Sequence, residues 1–250
     1  RVSLLVASTK QVMSNFFRPT SYAVMVSPGL THAWINIPKN CSSFVQKVLD
    51  DNGWIMCHTD DLVDGILSAH TIKKIVVLRD PVQRWISGFA ETYGYWNTDN
   101  AHTKKLDLDK IDKLLENDAF WELVYNNPVM CPHTELQHRF IGTAKNVQYI
   151  KIQDKPRGGS QVSDPNRFYR ELTEYIRWTG GSSNFERWTE LTNPVSNDEG
   201  KQKVYNKILE VMNTNPEIHN RLTQAHSRDY GLFNELQRFT TNATATDRSN

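Results

Sequence analysis

The sequence predicts an α/β domain: a central parallel sheet flanked by helices, with a helical C-terminal part. Three observations predict it. Residues 33–37 (Ala-Trp-Ile-Asn-Ile) read as a short buried strand, ended by Pro38 and followed by a helical run. Ile75-Val76-Val77-Leu78 is an unbroken, β-branched-rich stretch, as expected for a central strand covered on both faces. Strands then alternate with helices before helical patterns take over.

The elements follow in order. Ser42 and Ser43 are placed to cap a helix over residues 44–51, with Phe44, Val45, Val48 and Leu49 on its apolar side. Asn52-Gly53 stops that helix. Residues 54–57 fit a second short strand and 60–69 a short helix. Asp80 is a natural N-cap with Pro81 in the favoured first helical position, opening a helix that turns Trp85, Ile86 and Phe89 inward until about Tyr93. After Gly94, residues 95–103 read as a polar and aromatic loop. Helices are expected at 108–116, 119–126 and 134–140. Residues 147–152 alternate like a strand, and 155–166, bearing Gly, Pro and Ser, read as a mobile loop. Further helices are expected at 167–178, 201–212 and 216–236. With no repeat and no composition break, residues 1–239 form one domain and the polar residues 240–250 a disordered tail.

Composition narrows the function classes. A chain of 250 residues is long enough to bury a sizeable core. A formal charge of +1 implies no overall attraction to nucleic acid or anionic lipid, although a local basic site remains compatible with it. No apolar run is long enough to span a bilayer, and residues 1–7 lack the long apolar region of a signal peptide. Cys41, Cys57 and Cys131 are an odd set without metal-ligand spacing, so neither a disulfide framework nor a metal site is expected. They fit a reducing compartment, the cytoplasm. The glycosylation sequons Asn40-Cys41-Ser42 and Asn242-Ala243-Thr244 read as chance matches.

Two segments carry chemistry. In the first, a strand runs through Pro38-Lys39-Asn40-Cys41-Ser42-Ser43 into a helix N-terminus. Converging amides and the helix dipole attract an anion there; Lys39 adds a full charge, and Ser42 and Ser43 add hydroxyl donors. The Walker A pattern is absent, since the loop lacks Gly and Lys39 comes early in it, which disfavours an ordinary ATPase or GTPase. Taken alone, the segment also reads as a simple turn before a Ser-capped helix. In the second segment Arg79 leaves a strand at its C-terminal end, where ligands bind in open α/β sheets, and the next helix carries Arg84 and Ser87 on one side. An Arg fork with a hydroxyl suits a phosphate monoester. The bland alternative is a capped helix with a surface ion pair between Arg79 and Asp80.

Together, Pro-Lys-x-x-x-Ser-Phe and Val-Val-Leu-Arg-Asp-Pro-Val-x-Arg-Trp-x-Ser-Gly-Phe resemble the two nucleotide-binding motifs of the sulfotransferases, closest to the carbohydrate type of Golgi enzymes and their microbial relatives. The likeness covers residues 35–89, with a weaker echo in Arg228-Asp229-Tyr230-Gly231-Leu232-Phe233. It implies a P-loop-like nucleotide-binding fold and a co-substrate, 3′-phosphoadenylyl sulfate (PAPS), that leaves as adenosine 3′,5′-bisphosphate. Pro38, Lys39, Asn40, Cys41, Ser42, Ser43 and Phe44 would then form the 5′-phosphosulfate site, and Arg79 and Ser87 would hold the 3′-phosphate. The implied acceptor is a hydroxyl group on a carbohydrate. An excised Golgi-lumenal domain is the alternative to the cytoplasmic placement.

Sulfuryl transfer needs in-line geometry, charge stabilisation on the leaving phosphate, and a base for the acceptor hydroxyl. Lys39 would supply the charge. Histidine suits the base, because its ordinary pKa lies near neutrality. His70, just before the 75–78 strand, is placed first; His133, in Cys-Pro-His-Thr-Glu-Leu-Gln, is second, and His58 third. Glu135 and Gln137 are candidates for orienting a base or an acceptor. Tyr93, Tyr95 and Trp96 could stack on adenine or a sugar, whereas the lysines between 201 and 207 read as a solvated helix face. The competing functions are an ATP-dependent small-molecule or nucleotide kinase and a non-catalytic nucleotide-binding protein of the same fold.

Overall fold

The computed structural model describes residues 23–98, 108–126, 133–152, 171–172, 174–176 and 199–235. The 155–166 loop, the 240–250 tail, Cys131, the second sequon and much of the 167–178 helix lie outside them. The described strands are β1 (Val24–Val26), β2 (His32–Ile35), β3 (Ile55–Cys57), β4 (Lys73–Leu78) and β5 (Val147–Lys151). They form one sheet in the order β3-β1-β2-β4-β5. The α/β class is as expected; the purely parallel sheet is not. β2, β4 and β5 run parallel, but β1 is antiparallel to both β2 and β3, so the sheet is mixed. The cause is local: Ser27 to Thr31, with Pro28-Gly29 inside it, turns β1 back onto β2, and Leu30 N–H donates to the Ser27 carbonyl at 2.9 Å.

Alternation along the strands loads both faces of the sheet. Ile75 and Val77 of β4 join Met25, Trp34 and Ile150 beneath α1 (Ser42–Asp51), which contributes Val45, Val48 and Leu49. Val76 and Leu78 face the other way, towards Val63, Ile66 and Leu67 of α2 (Asp60–Ser68) and Phe140 and Ile141 of α6 (Gln137–Ile141). A third core lies among helices. There Trp85, Ile86 and Phe89 of α3 (Pro81–Thr98) pack with α4 (Asp109–Leu115), α5 (Asp118–Asn126), α7 (Glu199–Thr214) and α8 (Pro216–Ala225). Trp85 stacks on Phe89 with centroids 5.0 Å apart and on Trp121 at 6.4 Å, which makes these rings core.

Several boundaries moved for identifiable reasons. The helix after Asp80 continues past Gly94 to Thr98, because one interior glycine weakens a helix by only about 1 kcal/mol. Asp80 caps it as expected, accepting from Gln83 N–H at 2.9 Å. The N-cap of α1 is Cys41 in the left-handed region, so Ser42 and Ser43 are its first two helical residues and do not cap it. Of residues 134–140 only 137 onward is helical, since Leu136 is extended. The expected 216–236 helix is broken by a turn at His226, after which residues 227–235 resume as helix.

Candidate functional site

β2 and β4 are adjacent and parallel, with Ile35 opposite Val76. The chain beyond each strand therefore leaves the same edge of the sheet. Pro38 to Ser43 follow β2, and Arg79 follows β4. Both sequence-predicted segments thus meet at the C-terminal edge, where open α/β sheets place ligands.

The loop is held in an unusual shape. Lys39 (φ 71°) and Cys41 (φ 57°), on either side of Asn40, are both left-handed without being glycine. Each such residue costs roughly 1–2 kcal/mol and persists only where surroundings over-determine it. Those surroundings are visible. Asn40 is 1% exposed, and its Nδ2 donates to the Val77 carbonyl and to Gln137 Oε1, both at 2.7 Å. That burial also leaves its sequon no room for a glycan. Arg84 Nε donates to the Pro38 carbonyl at 2.9 Å, and Arg79 Nη1 to the Lys39 carbonyl at 3.3 Å. Because a trans peptide points its N–H opposite its C=O, drawing the Pro38 oxygen towards Arg84 turns the Lys39 amide away from it. The first intrahelical bond of α1 runs from Val45 N–H to Cys41 C=O, so the amides of Ser42, Ser43 and Phe44 precede the ladder. Left-handed residues beside a helix N-terminus form the kind of concavity that holds anions.

Around the Lys39 ammonium lies a cluster that joins the expected candidate His133 to two residues not singled out for the site, Glu91 and Lys201. Lys39 pairs with Glu91 of α3. Lys201, from α7, reaches the same carboxylate oxygen at 2.6 Å. Lys201 is therefore a contact residue of α7 and not a solvated one, whereas Lys203 is exposed as expected. His133 Nε2 lies 3.6 Å from the other oxygen of Glu91, too far for a hydrogen bond. Burial first, then the charges of Lys39, Arg84 and Lys201, push His133 down to about 4. It is neutral at pH 7, and its contact with Glu91 is not an ion pair there. The backbone of His133 rests on α3 at Gly88, where an added Cβ would overlap the His133 carbonyl oxygen.

The other candidates are placed as follows. His70 is exposed and precedes β4, at the opposite edge of the sheet from Lys39. Six strand residues, roughly 20 Å, separate the two edges. His58 is exposed after β3. Arg79 and Ser87 are 4% and 6% exposed, and Arg84 is 1% exposed with Nη1 on the Glu135 carbonyl and its guanidinium 5.6 Å from the Phe140 ring centre. Glu135 is buried and accepts from Leu136 N–H and Arg139; burial raises its carboxyl. Tyr93 lies against Phe89, with centroids 5.6 Å apart. Tyr95 and Trp96 fall within the last turns of α3.

Glu91 had a signal in the sequence: Arg84, Gly88 and Glu91 fall at i, i+4 and i+7, one face of a helix. Lys201 had none, being brought in from far along the chain. Among the described residues no group of three His, Cys, Asp or Glu is arranged to hold a metal ion, and no helix is long and apolar enough to cross a membrane. No protein-family model, curated protein or solved structure matches this chain, so its own residues carry the functional case.

Proposed function

We propose that the chain is a P-loop-like sulfotransferase that takes a sulfuryl group from PAPS to an acceptor hydroxyl on a carbohydrate. The observation that carries this reading is the left-handed pair Lys39 and Cys41 at the mouth of α1, set beside Arg79 just past the end of the neighbouring parallel strand. The residues fit such a ligand. First-turn amides, two hydroxyls and an ammonium suit the 5′ end, and Arg79 with Ser87 suits a second phosphate. PAPS itself supplies a sulfuryl group already activated on a phosphate leaving group.

In the reaction the acceptor oxygen bonds to sulfur while the bond from sulfur to the phosphate oxygen breaks. Lys39 stabilises the charge left on that oxygen. The acceptor proton passes to His133, the histidine that stands with Lys39. Burial and, after it, three cations depress its basicity, and an anion bound among those cations offsets their share. Glu91, 3.6 Å away, stabilises the imidazolium that forms.

Transfer of labelled sulfur from PAPS to a panel of oligosaccharides tests the reading. Label on the saccharide supports it; nucleotide binding without transfer to any of them would favour the non-catalytic alternative. Within that assay, His133→Ala is expected to lower turnover by about 100-fold, the usual worth of a general base. His70→Ala is expected to leave it within twofold, and the reverse pattern would move the base to the other edge of the sheet.

A further inference from the structure

Gln137 is 1% exposed, so it reaches a ligand only through other residues. Both ends of its side-chain amide are engaged. Oε1 accepts from Asn40 Nδ2 at 2.7 Å and from Arg79 N–H at 3.2 Å, while Nε2 donates to the Arg79 carbonyl at 2.9 Å. One amide therefore satisfies both backbone groups of Arg79 where it leaves β4, as a neighbouring strand would, and also grips the residue at the centre of the loop. Gln137 is itself fixed from outside the sheet. Its N–H donates to Asp229 Oδ2 at 2.8 Å, and His138 gives Asp229 Oδ1 a backbone bond at 2.9 Å and a side-chain contact at 2.7 Å. Burial opposes the charge on Asp229, yet these hydrogen bonds outweigh it and hold its carboxyl below the usual range.

We propose that Gln137 is a positioning residue for the phosphate site, setting the Pro38–Ser43 loop and Arg79 relative to one another, with Asp229 of the 227–235 helix setting Gln137. The inference rests on the reading of that loop and Arg79 as an anion site. The loop's left-handed residues need external anchors, and Asn40 is the anchor inside the loop; without Gln137 one of its two amide bonds is lost.

The experiment is calorimetric titration of the full chain with inorganic pyrophosphate and with adenosine 3′,5′-bisphosphate, for the wild type, Gln137→Met and Gln137→Glu. It is run at a temperature at which each is folded by circular dichroism. Gln137→Met is expected to bind pyrophosphate about tenfold or more weakly, from the loss of several buried hydrogen bonds. Should that variant not fold, Gln137→Glu decides alone. An ionised Glu offers no donor to the Arg79 carbonyl, whereas a protonated one reproduces both the donor and the acceptor of the amide. Its affinity relative to wild type is thus expected to be low at pH 8 and to recover as pH falls. A ratio that stays near one throughout would overturn the proposal. If the wild type binds pyrophosphate but not the bisphosphate, the nucleotide reading fails while the Gln137 comparison still decides positioning; if it binds neither, both fall.

Discussion

Lys39→Met is expected to lower sulfuryl transfer by about 100- to 1,000-fold, the typical effect of removing one group that stabilises transition-state charge. The reason lies in where the ammonium sits. It is the one full charge carried by the loop itself, on a left-handed residue whose carbonyl is tied to Arg79, and its side chain is only 13% exposed. A charge held in a part-buried site is screened less than one in water, so its loss is felt more. Binding of adenosine 3′,5′-bisphosphate should weaken far less, because the amides of residues 42–44 and Arg79 remain. Comparing turnover with product affinity separates the two roles: an equal fall in both would make Lys39 a binding residue only.

Gly88→Ala is the second large effect. Helix propensity alone favours alanine by about 1 kcal/mol. Here the new Cβ would overlap the His133 carbonyl oxygen and stand 2.6 Å from its carbon. Both are backbone atoms, so either α3 or the segment through His133 must move. Overpacking of this kind typically costs about 1–3 kcal/mol and outweighs the propensity gain. His133 and Gln137 ride on that segment, and a displacement of order 1 Å is enough to cost about 100-fold in rate. Thermal unfolding and turnover measured together should both fall. Gly65→Ala in α2, where a Cβ meets nothing within 4 Å, is the control and should leave turnover unchanged. An unimpaired Gly88→Ala variant would show that the close approach is not needed for the proposed chemistry.

Much of this was legible because the signals are local. Pro38, Asn52-Gly53 and Asp80-Pro81 punctuate the chain where the elements change, and the runs at 33–37, 75–78 and 147–152 mark strands that the structure contains within two residues. β1 was missed although Pro28-Gly29 between Val24–Val26 and His32–Ile35 is a turn signal; three residues give too short a pattern to register. Missing it concealed the antiparallel pairings. The loop's left-handed residues were invisible for a different reason. Lys and Cys do not prefer that region, so only the tertiary anchors Asn40, Arg79 and Arg84 explain it. Chain direction also bears on where the histidines lie. A residue before a parallel strand lies at the opposite edge from one after it, which separates His70 from both Lys39 and Arg79. Contacts such as those of Glu91 with Lys201 and Gln137 with Asp229 join distant parts of the chain, and no short pattern encodes them.

The central claim is a site for a nucleotide with phosphates at two positions, and calorimetric titration with adenosine 3′,5′-bisphosphate, AMP and ATP tests it most directly. The expected result is a preference for the bisphosphate of about tenfold or more over both competitors, reduced by most of that factor in Arg79→Ala, since charge-assisted bonds to a phosphate contribute roughly 1.5–3 kcal/mol. Equal affinity for all three nucleotides would contradict it.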